Sequence, residues 1–308
     1  LRDVRNSPFG ATQAAVYHSA AISLRLKPPF NDGIFRTIEI DYGPLGTIVN
    51  AQVPPAAVLG CTSQPFNEII DSVRMAFTEV IADENKTAGW CAASPTTLSG
   101  VDPDTDTFYA HYHPNAAAGG SGATWGGDGW SAVGSEGTGG AVQRESIELV
   151  EHELPIRFHS MEYRTDSAGA GHWRGGLGMD CSWEAIDHEQ TSRFHGTIEH
   201  LPPVSVAGAK STLMAPKIGQ RFAIDADGTR RAANGASRLH AQKNGSFEMR
   251  PPGGGGVGDP FGRPLDKVVE DVRNGYVSVG GARLDYGCVI DPNTFEPDIQ
   301  ATRELRRK

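Results

Sequence analysis

The chain has 308 residues, among them 38 glycines and 20 prolines, and its 28 basic and 37 acidic side chains leave a net charge of -9. Glycine exceeds its usual share of about 7% without any sustained Gly-X-Y period, which excludes collagen, and an aromatic content of 8% spread through the sequence excludes full disorder. The acidic balance argues against a general nucleic-acid or membrane-surface role, and no apolar run approaches the roughly 20 residues of a bilayer span.

The first residue is Leu1, and residues 4–10 read as a segment entering from something upstream. Ala15, Val16, Ala20, Ile22 and Leu26 predict a mostly apolar helix over 12–26 that stops before Pro28-Pro29. Asn31-Asp32-Gly33 predicts a turn. Ile38, Ile40 and Tyr42 alternate with Glu39 and Asp41, which predicts a half-buried strand over 34–42, and 47–49 reads as a second short strand. Residues 65–82 form the clearest helix, with Ile69, Ile70, Val73, Phe77, Val80 and Ile81 on one broad face. Both helices read as core scaffold.

Between Gly119 and Gly140 the sequence is glycine-rich yet holds Trp125 and Trp130, and a flexible linker gains nothing from tryptophan. The glycines recur three apart, as do Gly175/Gly178 and Gly253/Gly256, and three residues per turn is the polyproline II period. A packed glycine-rich bundle is the expectation, with a lid-like loop as the alternative. Residues 146–162 read as strands around Pro155. A β-rich stretch follows over 179–250, with turns at Asp227-Gly228, Asn234-Gly235 and Asn244-Gly245. Residues 265–274 predict a short amphipathic helix closed by Gly275.

Four cysteines, Cys61, Cys91, Cys181 and Cys288, lie far apart with no CxxC pair, so reduced thiols in the cytoplasm are expected. Three glycine-rich segments stand out, around Asp128, over 166–178 and over 251–260. Successive glycine amides can cradle an anion, and Arg174 could clamp phosphate or carboxylate. None ends in the GKS or GKT of a P-loop, and tight packing is the plain reading of each. His111-Tyr112-His113 puts two imidazoles on one side of an extended chain, which could be half of a metal site, but no third ligand is evident from spacing and Pro114 follows directly, so solvated or hydrogen-bonded histidines are the expectation. His152, His159, His172, His188, His195 and His200 are scattered without an HExxH pattern. Asp166 and Arg174 form the best polar pair by sequence.

The run 166–178 followed by 251–260 resembles the hydantoinase B family, which includes the matching half of 5-oxoprolinase and a large subunit of acetone- and acetophenone-type carboxylases. Supporting matches are Pro29-Phe30-Asn31-Asp32-Gly33-Ile34-Phe35-Arg36, the stretch 145–155, Asp271-Val272-Arg273-Asn274-Gly275-Tyr276-Val277-Ser278 and Ala282-Arg283-Leu284-Asp285-Tyr286-Gly287. Two positions depart from the family pattern: Gly122-Ala123-Thr124-Trp125 stands where Gly-Ala-Arg-Pro is usual, and Ala141-Val142-Gln143-Arg144 replaces Asn-Thr-Pro. The chain is similar to the C-terminal portion only.

The resemblance implies an α+β fold with barrel-like sheets, a few helices and a bundle of short polyproline II-like helices. The divisions expected are an α/β portion with two helices over 1–110, a glycine-rich segment over 111–180 and a β-rich portion with a short C-terminal helix over 181–308, together one continuous domain of a longer subunit. It further implies a hydantoinase A-like ATPase subunit as partner, binding ATP with Mg, and the N-terminal portion of its own subunit, where the family's metal-associated His and Asp cluster lies. No metal ligand is therefore carried onto this chain. The substrate implied is a small cyclic amide, opened after phosphorylation by the partner. An activated ketone in a carboxylase and a non-catalytic assembly scaffold are the alternatives. Asp166, His172 and Arg174 are the candidate catalytic residues, because charges embedded among glycines can approach a small ligand closely. Asp128, Gly169 and Gly171 are the candidate substrate-binding residues.

Overall fold

In the computed structural model the described residues are 6–62, 65–91, 96–113, 119–134, 136–140, 144–194, 203–209, 218–233 and 237–307. The alanine-rich segment forms helix α1 (Phe9–Ser23), ending ahead of the proline pair as expected. It packs on α3 (Pro65–Thr78), where the Ser19 hydroxyl donates to the Ile70 carbonyl at 3.0 Å. The broad apolar face expected of α3 is only partly used. Ile70 is buried, but the helix stops at Thr78 and leaves Val80 77% exposed. The adjacent inward position is Arg74, buried and ion-paired with Asp71 and Glu136.

Glu136 is itself buried, and burial alone would raise its pKa. Attraction to Arg74 and its hydrogen bond, with the His18 ring 3.7 Å away, outweigh that and hold it below the ordinary 4.5. A carboxylate with a depressed folded pKa contributes stability that is present above its unfolded pKa and lost as pH falls. The variant Glu136→Gln is therefore expected to be less stable near neutrality and to lose less stability than the wild type on acidification. Urea midpoints followed from about pH 6 to about pH 3 would show a shallower acid limb.

Several local expectations are corrected. Asn31-Asp32-Gly33 begins a short helix, α2 (Asp32–Phe35), capped by the Asn31 side chain accepting from the Gly33 amide at 3.0 Å. No strand forms over 38–42, and Thr47 makes only an isolated bridge to Asn50. Alternation yields a strand only where a neighbour supplies ladder bonds, and no described strand lies beside these residues. The first half of 146–162 is helix α4 (Ile147–Glu153), not strand, because Ser146 caps it by accepting from the Leu149 amide and Leu154-Pro155 ends it.

The β-rich portion forms two open antiparallel sheets, with no closed barrel among the described residues. The first runs in the order β2 (Phe108–His113), β1 (Thr96–Val101), β5 (Gln190–Phe194), β8 (Arg238–Ala241). The second runs β3 (Ile156–Tyr163), β4 (Met179–Ala185), β9 (Ser246–Arg250), β6 (Gln220–Ile224), β7 (Arg230–Ala232). Strict alternation puts Met179, Cys181, Trp183 and Ala185 on one face of β4. Trp183, Phe247 and Met249 of the second sheet share a core with Leu98, Phe194 and Leu239 of the first, so the main core lies between the two. The Asp227-Gly228 turn closes the β6–β7 hairpin, with Gly228 at φ +86. Asn244-Gly245 instead carries the chain from β8 in one sheet to β9 in the other. Asn234-Gly235, His195, His200 and Leu1 lie outside the described residues.

A buried polar chain stitches the two sheets. Trp183 Nε1 donates to Gln190 Oε1 (2.9 Å), Gln190 Nε2 to the Tyr109 hydroxyl (2.8 Å), and that hydroxyl to His188 Nε2 (2.6 Å). His188 Nδ1 then donates to the Ile186 carbonyl at 2.9 Å, and because a carbonyl only accepts, the direction of every bond in the chain follows.

The glycine segments form a third body without regular strands, joined by backbone hydrogen bonds between chain segments. A Cβ on Gly253 would meet the Gly176 and Ser167 carbonyls, one on Gly254 the Ser121–Gly122 backbone, one on Gly255 the Val204 carbonyl and one on Gly256 the Gly169 and Ala170 carbonyls, so each of these glycines lies against neighbouring backbone. At the C-terminal end α5 (Leu265–Arg273) is followed by Gly275 at φ +72, and then come two helices without a sequence expectation, α6 (Val279–Tyr286) and α7 (Ile299–Arg306). Val268, Val272, Ala282 and Tyr286 build a separate core there. All four cysteines are free thiols, and no described helix is long and apolar enough to cross a membrane.

Candidate functional site

The three glycine segments meet, and their amides are largely occupied by one another. Gly169 N–H donates to the Gly254 carbonyl, Gly176 to Ser121, Gly253 to Ser167, Gly254 to Gly176, Gly255 to Gly89 and Gly258 to Val206. Gly256 donates to the Ser205 hydroxyl at 3.1 Å. An anion cradle needs successive amides pointing at the ligand, and here they point at carbonyls. These segments do not fit the phosphates of ATP, and tight packing is what their glycines supply.

A charged network lies where this body meets the C-terminal helices. Gly126 at φ +98 turns the chain so that Asp128 follows immediately, and Asp128 accepts from Arg263 through both oxygens at 2.7 Å and from the Arg174 amide at 2.7 Å. Arg263 leaves a short turn capped by Asp259, which accepts from the Phe261 amide at 3.0 Å. Its guanidinium also donates to the His172 carbonyl (3.0 Å) and stands 2.9 Å from Asp271 Oδ2, off the hydrogen-bond line. Arg174 Nε reaches Asp271 Oδ1 at 3.3 Å, Arg174 Nη1 donates to the Gly175 carbonyl, and the guanidinium lies 5.3 Å from the Tyr276 ring centroid. Two arginines and two aspartates balance. Burial would raise the Asp128 carboxyl, but the Arg263 hydrogen bonds, with the charges of Arg263 and Arg174, hold it below the ordinary range. Arg263, though buried, is held above the usual guanidinium value by Asp128 and Asp271.

The sequence-chosen residues separate into two groups. Asp166 does not pair with Arg174, whose carboxylate partner is Asp271. Asp166 sits at φ +59 and accepts from the Ser278 amide at 2.8 Å, at the residue that caps α6. Gly169 and Gly171 are buried against the bundle backbone. Asp128 and His172 remain at an accessible edge, and Asp128 keeps 33% of its side chain exposed. There the His172 ring stands edge-on to Trp173 (4.4 Å) and Trp173 leans on Trp125 (4.5 Å), with Trp125 44% exposed. Arg263 and Asp271 were not singled out by sequence. One signal existed: Asp271 falls among Val268, Val269 and Val272, on the buried side of an amphipathic helix.

The sequence profile of the Hydantoinase B/oxoprolinase family matches residues 1–260. The chain is 39% identical over 289 residues to caprolactamase subunit beta of Pseudomonas jessenii, covering 94% of this chain and 49% of that protein. The crystal structure of the ATP-dependent caprolactamase from Pseudomonas jessenii superimposes with a TM-score of 0.85 at 36% identity, covering 99% of this chain and 52% of that one. The nucleotide-free structure of acetone carboxylase superimposes with a TM-score of 0.77 at 17% identity over 99% of this chain and 45% of that one, a likeness of fold alone. This chain thus spans about half the length of these relatives.

Proposed function

The chain belongs to the hydantoinase B/oxoprolinase family, and from that premise we propose that it is the C-terminal portion of a subunit of an ATP-dependent cyclic-amide hydrolase that opens lactams. The observation that carries this reading is the shared sequence and fold with the caprolactamase along nearly the whole chain. The carboxylase shares the fold alone, so the lactam reading leads.

ATP and its Mg belong on a hydantoinase A-like ATPase partner, because the glycine amides of this chain are spent on internal carbonyls. The N-terminal portion of the same subunit supplies the remaining reactive groups. The residues here frame the substrate. A lactam offers an N–H donor, a carbonyl acceptor and an apolar ring of methylenes. The Trp125–Trp173 pair supplies an apolar wall, and the ionised Asp128 carboxylate at its edge accepts from the ring N–H. Arg174, Arg263 and Asp271 are positioning residues that fix Asp128, while Asp166 fixes the start of α6.

The test is ATP hydrolysis by the enzyme assembled with its partners. Caprolactam is expected to stimulate it and to yield the ring-opened amino acid. ATP consumption that instead requires a ketone together with bicarbonate would overturn the lactam reading. An assembled complex that consumes ATP with neither would leave this portion as a scaffold.

A further inference from the structure

We propose that His111, His113 and Glu145 bind one divalent transition-metal ion of the zinc class, tying the edge strand β2 to the chain that enters α4. Spacing on the strand supplies two of the ligands: residues two apart on β2 face the same side, so His111 and His113 point inward while Tyr112 is 57% exposed on the other face. The fold supplies the third. Glu145 lies next to Ser146, the cap of α4, and its carboxylate reaches back to the strand, so that one ligand atom from each residue falls within 4.8 Å of the others.

The distances suit a shared cation. Glu145 Oε2 stands 2.9 Å from His111 Nε2 and 3.8 Å from His113 Nδ1. Two ligands bound at 2.0–2.2 Å to a tetrahedral ion lie about 3.4 Å apart, between those values. His113 provides the independent observation. Its side chain is completely buried, and neither ring nitrogen has a hydrogen-bond partner. A neutral imidazole carries one donor and one acceptor, and leaving buried polar atoms unpaired is costly. A metal bond to a ring nitrogen removes the unpaired acceptor. Phe158 and Trp183, with ring centroids 5.4 and 5.5 Å from that of His113, close its apolar side. His111 and Glu145 keep 21% and 32% of their side chains exposed, which gives an ion a route from solvent and leaves room for a water as fourth ligand. Two imidazole nitrogens and one carboxylate oxygen select zinc or cobalt over magnesium or calcium, whose ligand sets are oxygen-only.

The test compares the wild-type protein, purified with its partner subunits, with His111→Ala, His113→Asn and Glu145→Gln. Bound metal is counted after equilibration with zinc, and the visible spectrum is recorded after cobalt loading. Each variant is expected to hold about one equivalent less zinc than the wild type and to lose a tetrahedral cobalt signature. The His113 variant also perturbs a buried position, so the result is carried by the His111 and Glu145 variants, whose side chains are partly exposed. Chelation is expected to lower the melting temperature of the wild type but not of Glu145→Gln. Unchanged metal content and cobalt spectra in His111→Ala and Glu145→Gln would overturn the proposal, whatever metal the rest of the assembly holds.

Discussion

Replacing Arg263 by alanine is expected to lower stability by about 3–5 kcal/mol, the loss that follows when one partner of a buried ion network is removed. The arginine side chain is 3% exposed and is shared between Asp128 and Asp271, while its third contact, the His172 carbonyl, sits in the second glycine segment. Its removal leaves Asp271, 7% exposed, with Arg174 alone at 3.3 Å. Two comparisons separate charge from volume. Arg263→Lys keeps the charge but cannot fork across both Asp128 oxygens, so it is expected to lose part of the same energy. Asp128→Asn is expected to cost less, because that side chain is 33% exposed and water can take up part of its role. Urea unfolding gives the values, and a double-mutant cycle of Arg263→Ala with Asp271→Ala is expected to show strong coupling. An Arg263→Ala protein unfolding within about 0.5 kcal/mol of the wild type would contradict the assignment of this network as the tie between the glycine body and the C-terminal helices.

Gly254→Ala is the second large effect expected. A methyl group there would overlap the Ser121 carbonyl and crowd the Gly122 amide, and both belong to backbone that is itself hydrogen-bonded within the bundle. Overpacking usually costs about 1–3 kcal/mol where side chains can yield. Backbone yields less, so the loss is expected at or beyond the upper end, seen as reduced soluble yield and a lowered melting temperature. Gly10 is the matched control. It lies in the first turn of α1, and a Cβ there meets nothing within 4 Å. Gly10→Ala is expected to stabilise by about 0.4–1 kcal/mol, since alanine suits a helix and restricts the unfolded chain. Similar melting temperatures for the two variants would show that close backbone approach does not hold the bundle together.

Much of the architecture was legible wherever a physical requirement acts locally. The alanine-rich run gave α1, the valine stripe gave α5, and Asp-Gly gave the β6–β7 hairpin. Reading failed where alternation had no partner. Residues 34–42 carry the period of a strand, yet no described strand lies beside them. The alternation of Ile156 and Phe158 marks β3, but a strand reading extended back over 146–153 passes over Ser146, whose capping position marks a helix. In the candidate site, the glycine segments and their embedded charges stood out by composition, but the pairing drawn from them was wrong in one respect: Arg174 answers to Asp271, not to its neighbour in sequence Asp166.

The sequence by itself determined the helices α1, α3 and α5, which glycines lie three apart and which family the chain resembles, because each of these rests on residue types and spacings along the chain. Tertiary structure alone decided which charges meet. Arg263 lies 135 residues from Asp128, and Glu145 lies 34 residues from His111. No local propensity selects such partners. They are chosen where chain crossings bury a guanidinium or an imidazole that must then find its complement, since a charge or polar group removed from water without one is destabilising.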